Sequence, residues 1–213
     1  MEIHLNDIGR RFNYEWIFRH LDFSFYTDRS YAILGPNGSG KSTFLQVLTG
    51  NLSPSEGKMS YKEGDTRIPV DSVYRHISLA APYLELIEEF TLEECLQFHF
   101  KFKELHPSLA EEALIDLLGF PDAKGKEIRY FSSGMKQRLK LVLACCSDTP
   151  ILLLDEPTSN MDTQGVGWYH SLMERFSKNR LVIIGSNQLH EYEFCSERIF
   201  IPDFKSDSRN KPC

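Results

Sequence analysis

Apolar and polar positions alternate in two opening stretches, first at Ile3, Leu5 and Ile8 and then at Leu21, Phe23 and Phe25, the two-residue period of strands facing one core. An apolar run from Tyr31 to Leu34 follows and enters a glycine-rich turn, after which KSTFLQVLTG reads as a helix closed by Gly50. Residues 51–69, with NLSPSEG and KEGDT, predict loop and hairpin, and HISLAA around Ile77 predicts another buried strand. From Leu92, the residues Cys95, Leu96 and Phe100 keep the spacing of an amphipathic helix, and Leu109 to Leu118 repeats it, so 84–131 reads as a helical insert. After Ser132 and Ser133, GMKQRLKLVLACC predicts a buried helix with a serine N-cap. ILLLD at 151–155 and LVIIG at 181–185 are continuous apolar strands of the kind covered on both faces, which predicts a mainly parallel sheet and an α/β class. The polar stretch from Asp203 to Cys213 is expected to fray. One domain over residues 1–202 with a polar tail at 203–213 is the organisation this implies.

Charge narrows the choice of partner. The 24 basic and 30 acidic residues among 213 give a net charge of −6, with no clustering of Lys and Arg that would favour nucleic acid. No apolar run approaches the roughly 18 residues that span a bilayer, and MEIHLNDIGR carries acid before any apolar stretch, unlike a signal or transit peptide. A cytoplasmic chain is therefore expected. Cys95, Cys145, Cys146, Cys195 and Cys213 show no CxxC spacing and read as core or incidental thiols.

Gly35 to Ser42 reads GPNGSGKS, the G-x-x-x-x-G-K-[ST] pattern between a strand and a helix. Its glycines allow the loop to turn successive N–H groups inward, and the positive end of the following helix adds to that field, so an anionic phosphate is held. Asn37, Gly38, Ser39, Gly40 and Thr43 belong to this cradle, Lys41 reaches the β- and γ-phosphates, and the Ser42 hydroxyl is a ligand for Mg²⁺. ILLLDEP ends a strand in two carboxylates, Asp155 on the metal side and Glu156 on the side of the attacking water.

With FSSGMKQR at 131–138 and LLLDEPTSNMD at 152–162 in this order and spacing, nearly the whole chain resembles an ATP-binding cassette ATPase domain. The resemblance implies a P-loop NTPase core with an N-terminal antiparallel β part and a helical insert, binding ATP and Mg²⁺. It also implies that Ser132, Ser133 and Gly134 form a signature segment facing the γ-phosphate held by another protomer, so that the working form is a homodimer or heterodimer, with Asp162 in the D-loop. Phe12 matches the aromatic that stacks on adenine, with Tyr14 in reserve, although an aromatic there also suits a core.

Two positions depart from the family pattern. Ala81 and Pro82 stand where a Gln is usual, and Asn187 stands where a His contacts the γ-phosphate; His190 reads as an ordinary exposed histidine. Transporter cassettes power membrane subunits, so the resemblance implies an ATP-hydrolysing subunit at the inner face of a membrane, held there by a separate integral-membrane partner. Tyr83, Leu84, Leu86, Ile87 and Phe90 suit docking of that partner, or else pack the insert onto the core. The alternatives are an ATP-dependent dimerisation switch outside transport and a catalytically weak cassette paired with a competent one.

Overall fold

Two sheets share one interior in the computed structural model, which describes residues 1–205. In chain order the elements are β1 (Glu2–Phe12), β2 (Glu15–Tyr26), β3 (Ser30–Leu34), α1 (Lys41–Leu48), β4 (Glu56–Glu63), β5 (Thr66–Ile68), β6 (Ile77–Ala80), α2 (Leu92–His99) and α3 (Glu112–Leu118). They continue with α4 (Ser133–Cys145), β7 (Ile151–Asp155), α5 (Thr163–Phe176), β8 (Leu181–Gly185), α6 (Leu189–Tyr192) and β9 (Glu197–Phe200). The antiparallel sheet has the order β2-β1-β4-β5, and the second sheet, parallel throughout, has the order β6-β7-β8-β3-β9.

Every residue of β7 and β8 is buried, as continuous apolar runs require when both faces of a parallel sheet are covered. On one face Leu153 and Ile183 join Phe18, Phe25, Phe44 and Leu45, so that α1 sits between the two sheets. On the other, Leu152, Leu154 and Ile184 share a core with Leu92, Leu114, Ile128 and Leu141, and the apolar side chains of residues 84–131 thus run continuously into the core beneath the sheet. Thr91 starts α2 with a reciprocal capping box to Glu94, which satisfies two of the helix's free N–H groups.

Several details differ from the sequence reading, which also did not single out α5 or α6. The helix expected from Leu109 starts at Glu112, because residues 106–109 first close a turn around Pro107, with Leu109 N donating to His106 O. Strand β9 was not predicted, since ERIF offers only Ile199 to the core while Glu197 and Phe200 face outward. Asp203 and Phe204, expected to fray, belong to a 3₁₀ turn over Ile201–Phe204, with Ile201 buried and Phe204 packed on the core; the rest of the expected tail, 206–213, lies outside the described residues.

Cys95, Cys145, Cys146 and Cys195 are free and buried, and burial raises all four thiols, so they pack as inert apolar side chains. His99 has a measurable consequence. Burial, with the Lys103 cation beside it, pushes the imidazole down to about 4 from an ordinary 6.5. The unfolded chain therefore takes up the proton first as pH falls. Stability from this site is complete above about pH 6.5 and is lost toward pH 4, with roughly 2 kcal/mol gone by pH 5. Urea unfolding at pH 7.5 and pH 5 should show that loss, and His99→Gln should shrink it.

Candidate functional site

The loop between β3 and α1 is shaped by backbone conformations that side chains resist. Gly40 has φ +107°, and a Cβ there would lie 2.2 Å from Ile17 Cγ2; Gly35 has φ +148°, and a Cβ would lie 2.5 Å from Ser39 Oγ. Ser39 N donates to Pro36 O at 3.0 Å, which closes the turn ahead of the helix. Lys41 is 5% exposed, its Nζ donates to Gly35 O at 2.9 Å, and no carboxylate pairs with it among the described residues. A buried cation held by carbonyl oxygens alone is poised for an anionic ligand. Asn37, Gly38, Gly40, Lys41, Ser42, Thr43, Glu156 and Ile17 line an open cavity of about 200 Å³. The loop and Glu156 thus meet at one place, and Ser39 lies behind it with a buried Oγ that has no partner among the described residues.

Parallel pairing puts the second half of the site beside the first. β7 runs between β6 and β8, so Asp155 emerges at the same sheet edge as the glycine-rich loop, opposite Gly185. Asp155 is 1% exposed and its Oδ1 has no hydrogen-bond partner among the described residues. Burial pushes its carboxyl up to about 6, against the pull of the Ser42 hydroxyl and the Lys41 charge. Such an orphaned carboxylate oxygen next to a serine hydroxyl fits a divalent cation, which would supply the missing partner. Glu156 has φ +42°, the left-handed region, and its N donates to Gly185 O at 2.8 Å. Asn187 Nδ2 donates to Asn37 Oδ1 at 2.9 Å, closing the loop after β8 over the glycine-rich loop.

The remaining predicted residues lie elsewhere. Phe12 ends β1 at 46% exposure with the Arg10 guanidinium 4.5 Å from its ring centroid, and it is not among the cavity's lining residues. Ile17, which periodicity alone did not single out, takes the wall next to Gly40. Ser132 caps α4 by accepting from Met135 N at 3.2 Å, and Asp162 caps α5 by accepting from Gly165 N at 2.8 Å. With Ser133, Gly134 and Arg138 they line a separate open cavity of about 390 Å³. Gln137 ties α4 to the segment after β7 by donating to Pro157 O at 3.0 Å.

His190 is half-buried and not exposed as expected, because its Nε2 lies 3.0 Å from Thr158 Oγ1. Tyr83 carries a second surprise. Burial of its phenol, together with the nearby Asp155 charge, pushes it up to about 12, against an opposing pull from Gln46. The residue is nonetheless 41% exposed, so it stays available to an outer surface while its hydroxyl lies toward the carboxylate end of β7. Of the other residues read as a docking surface, Leu86 and Phe90 pack against the core and Ile87 stays 44% exposed. A groove of about 600 Å³ runs beside them, lined by Pro82, Leu84, Glu85, Glu88, Lys136 and Lys140 among others.

The sequence profile described as "ABC transporter" matches residues 18–159, about two thirds of the chain. The chain belongs to the ABC transporter family. It is 28% identical over 184 residues to the human retinal-specific phospholipid-transporting ATPase ABCA4, an alignment covering 85% of this chain and 8% of that protein. It is 29% identical over 171 residues to ABC transporter A family member 7 of Dictyostelium discoideum, covering 79% of this chain and 20% of the relative. The chain thus spans a fifth or less of the length of these relatives. Among solved structures, an ATP-binding subunit of an ABC transporter superposes with a TM-score of 0.80 at 22% identity, over 94% of this chain and 85% of that one. A bacterial ABC transporter cassette solved as a dimer gives 0.78 at 18%, over 93% of each chain. These ABC ATPase cassettes share the α/β fold described above. No described helix is long and apolar enough to cross a membrane.

Proposed function

We propose that this chain is the ATP-binding and ATP-hydrolysing cassette of a transporter and powers a separate integral-membrane subunit. The observation that carries the reading is the meeting, at one cavity, of a buried Lys41 cation without a carboxylate partner among the described residues, Ser42 and Glu156, with the orphaned Asp155 oxygen behind them, within reach of the Ser42 hydroxyl and the Lys41 charge. In this reading the N–H groups of residues 37–43 hold the phosphate oxygens, and Lys41 exchanges its carbonyl partners for the β- and γ-phosphates. Ser42 and Asp155 would hold Mg²⁺, which supplies positive charge against the phosphate oxygens. Glu156 accepts a proton from water as the water oxygen bonds to the γ-phosphorus and the bond to the β-bridging oxygen breaks, releasing ADP. Ile17, with Phe12 beyond it, offers the adenine an apolar wall.

The signature cavity supports a dimer: α4 directs its N-terminus outward beside Ser132, Ser133 and Gly134, ready for the phosphate bound by another protomer. Homodimer and heterodimer both satisfy this geometry. The groove beside Ile87 suits a short amphipathic segment of the membrane subunit, its basic residues meeting Glu85 and Glu89, since Glu88 is already paired with Lys136. That partner would hold the cassette at the cytoplasmic face.

Phosphate release from Mg²⁺-ATP by the full chain tests the reading, and absence of release from a chain that binds ATP would overturn it. Release should be slow, because the loop after β6 presents Ala81 and Pro82, and Asn187 has an amide where a His would brace the γ-phosphate. Asn187→His keeps a donor toward Asn37 and adds a titratable one. It should raise kcat by roughly tenfold or more with little change in KM, given that one preorganised polar contact is worth on the order of 10²-fold. A fall in kcat would show that the amide is fitted to this loop.

A further inference from the structure

The reaction just described makes no use of the most completely buried carboxylate near it. Glu191, on α6, has 0% exposure, and no cation pairs with it among the described residues. Its oxygens are instead filled by neutral donors. Thr158 N donates to Oε1 at 2.7 Å, Thr158 Oγ1 donates to the same oxygen, and Ser186 Oγ donates to Oε2 in a short hydrogen bond. The helix that carries it is fixed as well, since Tyr169 OH donates to Glu191 O at 2.8 Å and Gln188 N donates to Ser186 Oγ at 2.8 Å. Thr158 Oγ1, having given its proton to Glu191, is left to accept from His190 Nε2.

These donors are not scattered. Thr158 is two residues beyond Glu156, and Ser186 is one residue before Asn187, so the carboxylate joins the two segments that face the phosphate loop. A buried charge without a counter-ion is costly, and a neutral amide would fill the same space at less cost. What the carboxylate adds is acceptor strength: three charge-assisted bonds at fixed positions. Glu156 needs such support, because its left-handed backbone persists only where its surroundings over-determine it. Gly185 O holds the Glu156 N–H on one side, and the clamp on Thr158 holds the other.

We propose that Glu191 is a positioning residue of the ATPase site, locking Thr158 and Ser186 so that Glu156 and Asn187 stay aimed at the phosphate loop. This rests on the ATPase reading above. Because Glu191 lies behind the site, it governs the chemical step and not nucleotide affinity.

The test measures phosphate release and Mg²⁺-ATP titration calorimetry on the full chain and on Glu191→Ala, Glu191→Gln and Thr158→Val. Glu191→Ala should lower kcat by roughly 10–100-fold, the usual cost of losing a group that orients a reacting residue, with Kd for ATP unchanged within about twofold. Glu191→Gln keeps the shape and one strong acceptor and should recover part of that loss. Thr158→Val keeps the N–H and removes the hydroxyl's bonds to Glu191 and His190, so a loss of several-fold is expected, less than multiplicative when combined with Glu191→Gln. Wild-type kcat in both Glu191→Gln and Thr158→Val would overturn the proposal, as would affinity falling in step with rate. Should the alanine variant not fold, the other two decide. A wild-type chain that binds ATP and releases no phosphate overturns the ATPase reading itself, and this proposal with it; wild-type release matched by the variants overturns this proposal alone.

Discussion

Lys41→Ala is expected to weaken Mg²⁺-ATP binding by at least about 10²-fold in titration calorimetry. Hydrogen bonds to charged groups are worth roughly 1.5–3 kcal/mol each, and Lys41 makes two of them when it turns from Gly35 O and Pro36 O to two phosphates. Without nucleotide the same substitution should cost no stability, because it removes a cation that is 5% exposed and has no carboxylate partner among the described residues. The two effects are read in one experiment. At ATP a hundredfold above Kd, the wild type should gain about 2.7 kcal/mol of stability by mass action, and the variant almost none. A variant that binds ATP as the wild type does would remove Lys41 from the site.

How much of this was visible in the residue order depends on how local the physics is. The shape of the glycine-rich loop was legible because it is set by backbone: glycines at 35, 38 and 40 take positive φ and a helix follows at once. β7 and β8 were legible because a strand buried on both faces has no polar position to hide. Tyr83 was not, since it follows β6 by three residues and meets Asp155 only because β6 and β7 pair in parallel. Glu191 was harder still. In LHEY it reads as one more solvated acid on a short helix, and it is buried only because Thr158 and Ser186 arrive from the segments that follow β7 and β8. Asp162 shows the reverse: an Asp before TQG carries the local signal of an N-cap, and that is the bond it makes. Phe12 was chosen for its type at the right place in the order, yet the wall nearest the loop is Ile17, whose contact with Gly40 depends on how β2 crosses it.

Glu156→Gln should separate binding from chemistry most sharply. The side chain keeps its length, and the left-handed backbone at this position, φ +42°, is no worse for Gln than for Glu. The cavity wall is therefore retained, and Kd for Mg²⁺-ATP should stay within about twofold. What is lost is the one carboxylate lining that cavity among the described residues, the proposed proton acceptor for the attacking water. A positioned general base contributes typically 10²–10⁴-fold, so single-turnover phosphate release should slow by that order. Slow hydrolysis should then expose the dimer. In the proposed dimer, ATP consumed at the signature interface should release the wild-type protomers, whereas in the variant bound ATP should persist between Lys41 of one protomer and Ser132 of its partner. Light scattering with ATP should show the variant at twice the monomer mass and the wild type mostly monomeric. A variant that stays monomeric while binding ATP would mean that the second cassette is a different chain, and one that hydrolyses at the wild-type rate would take the base role away from Glu156.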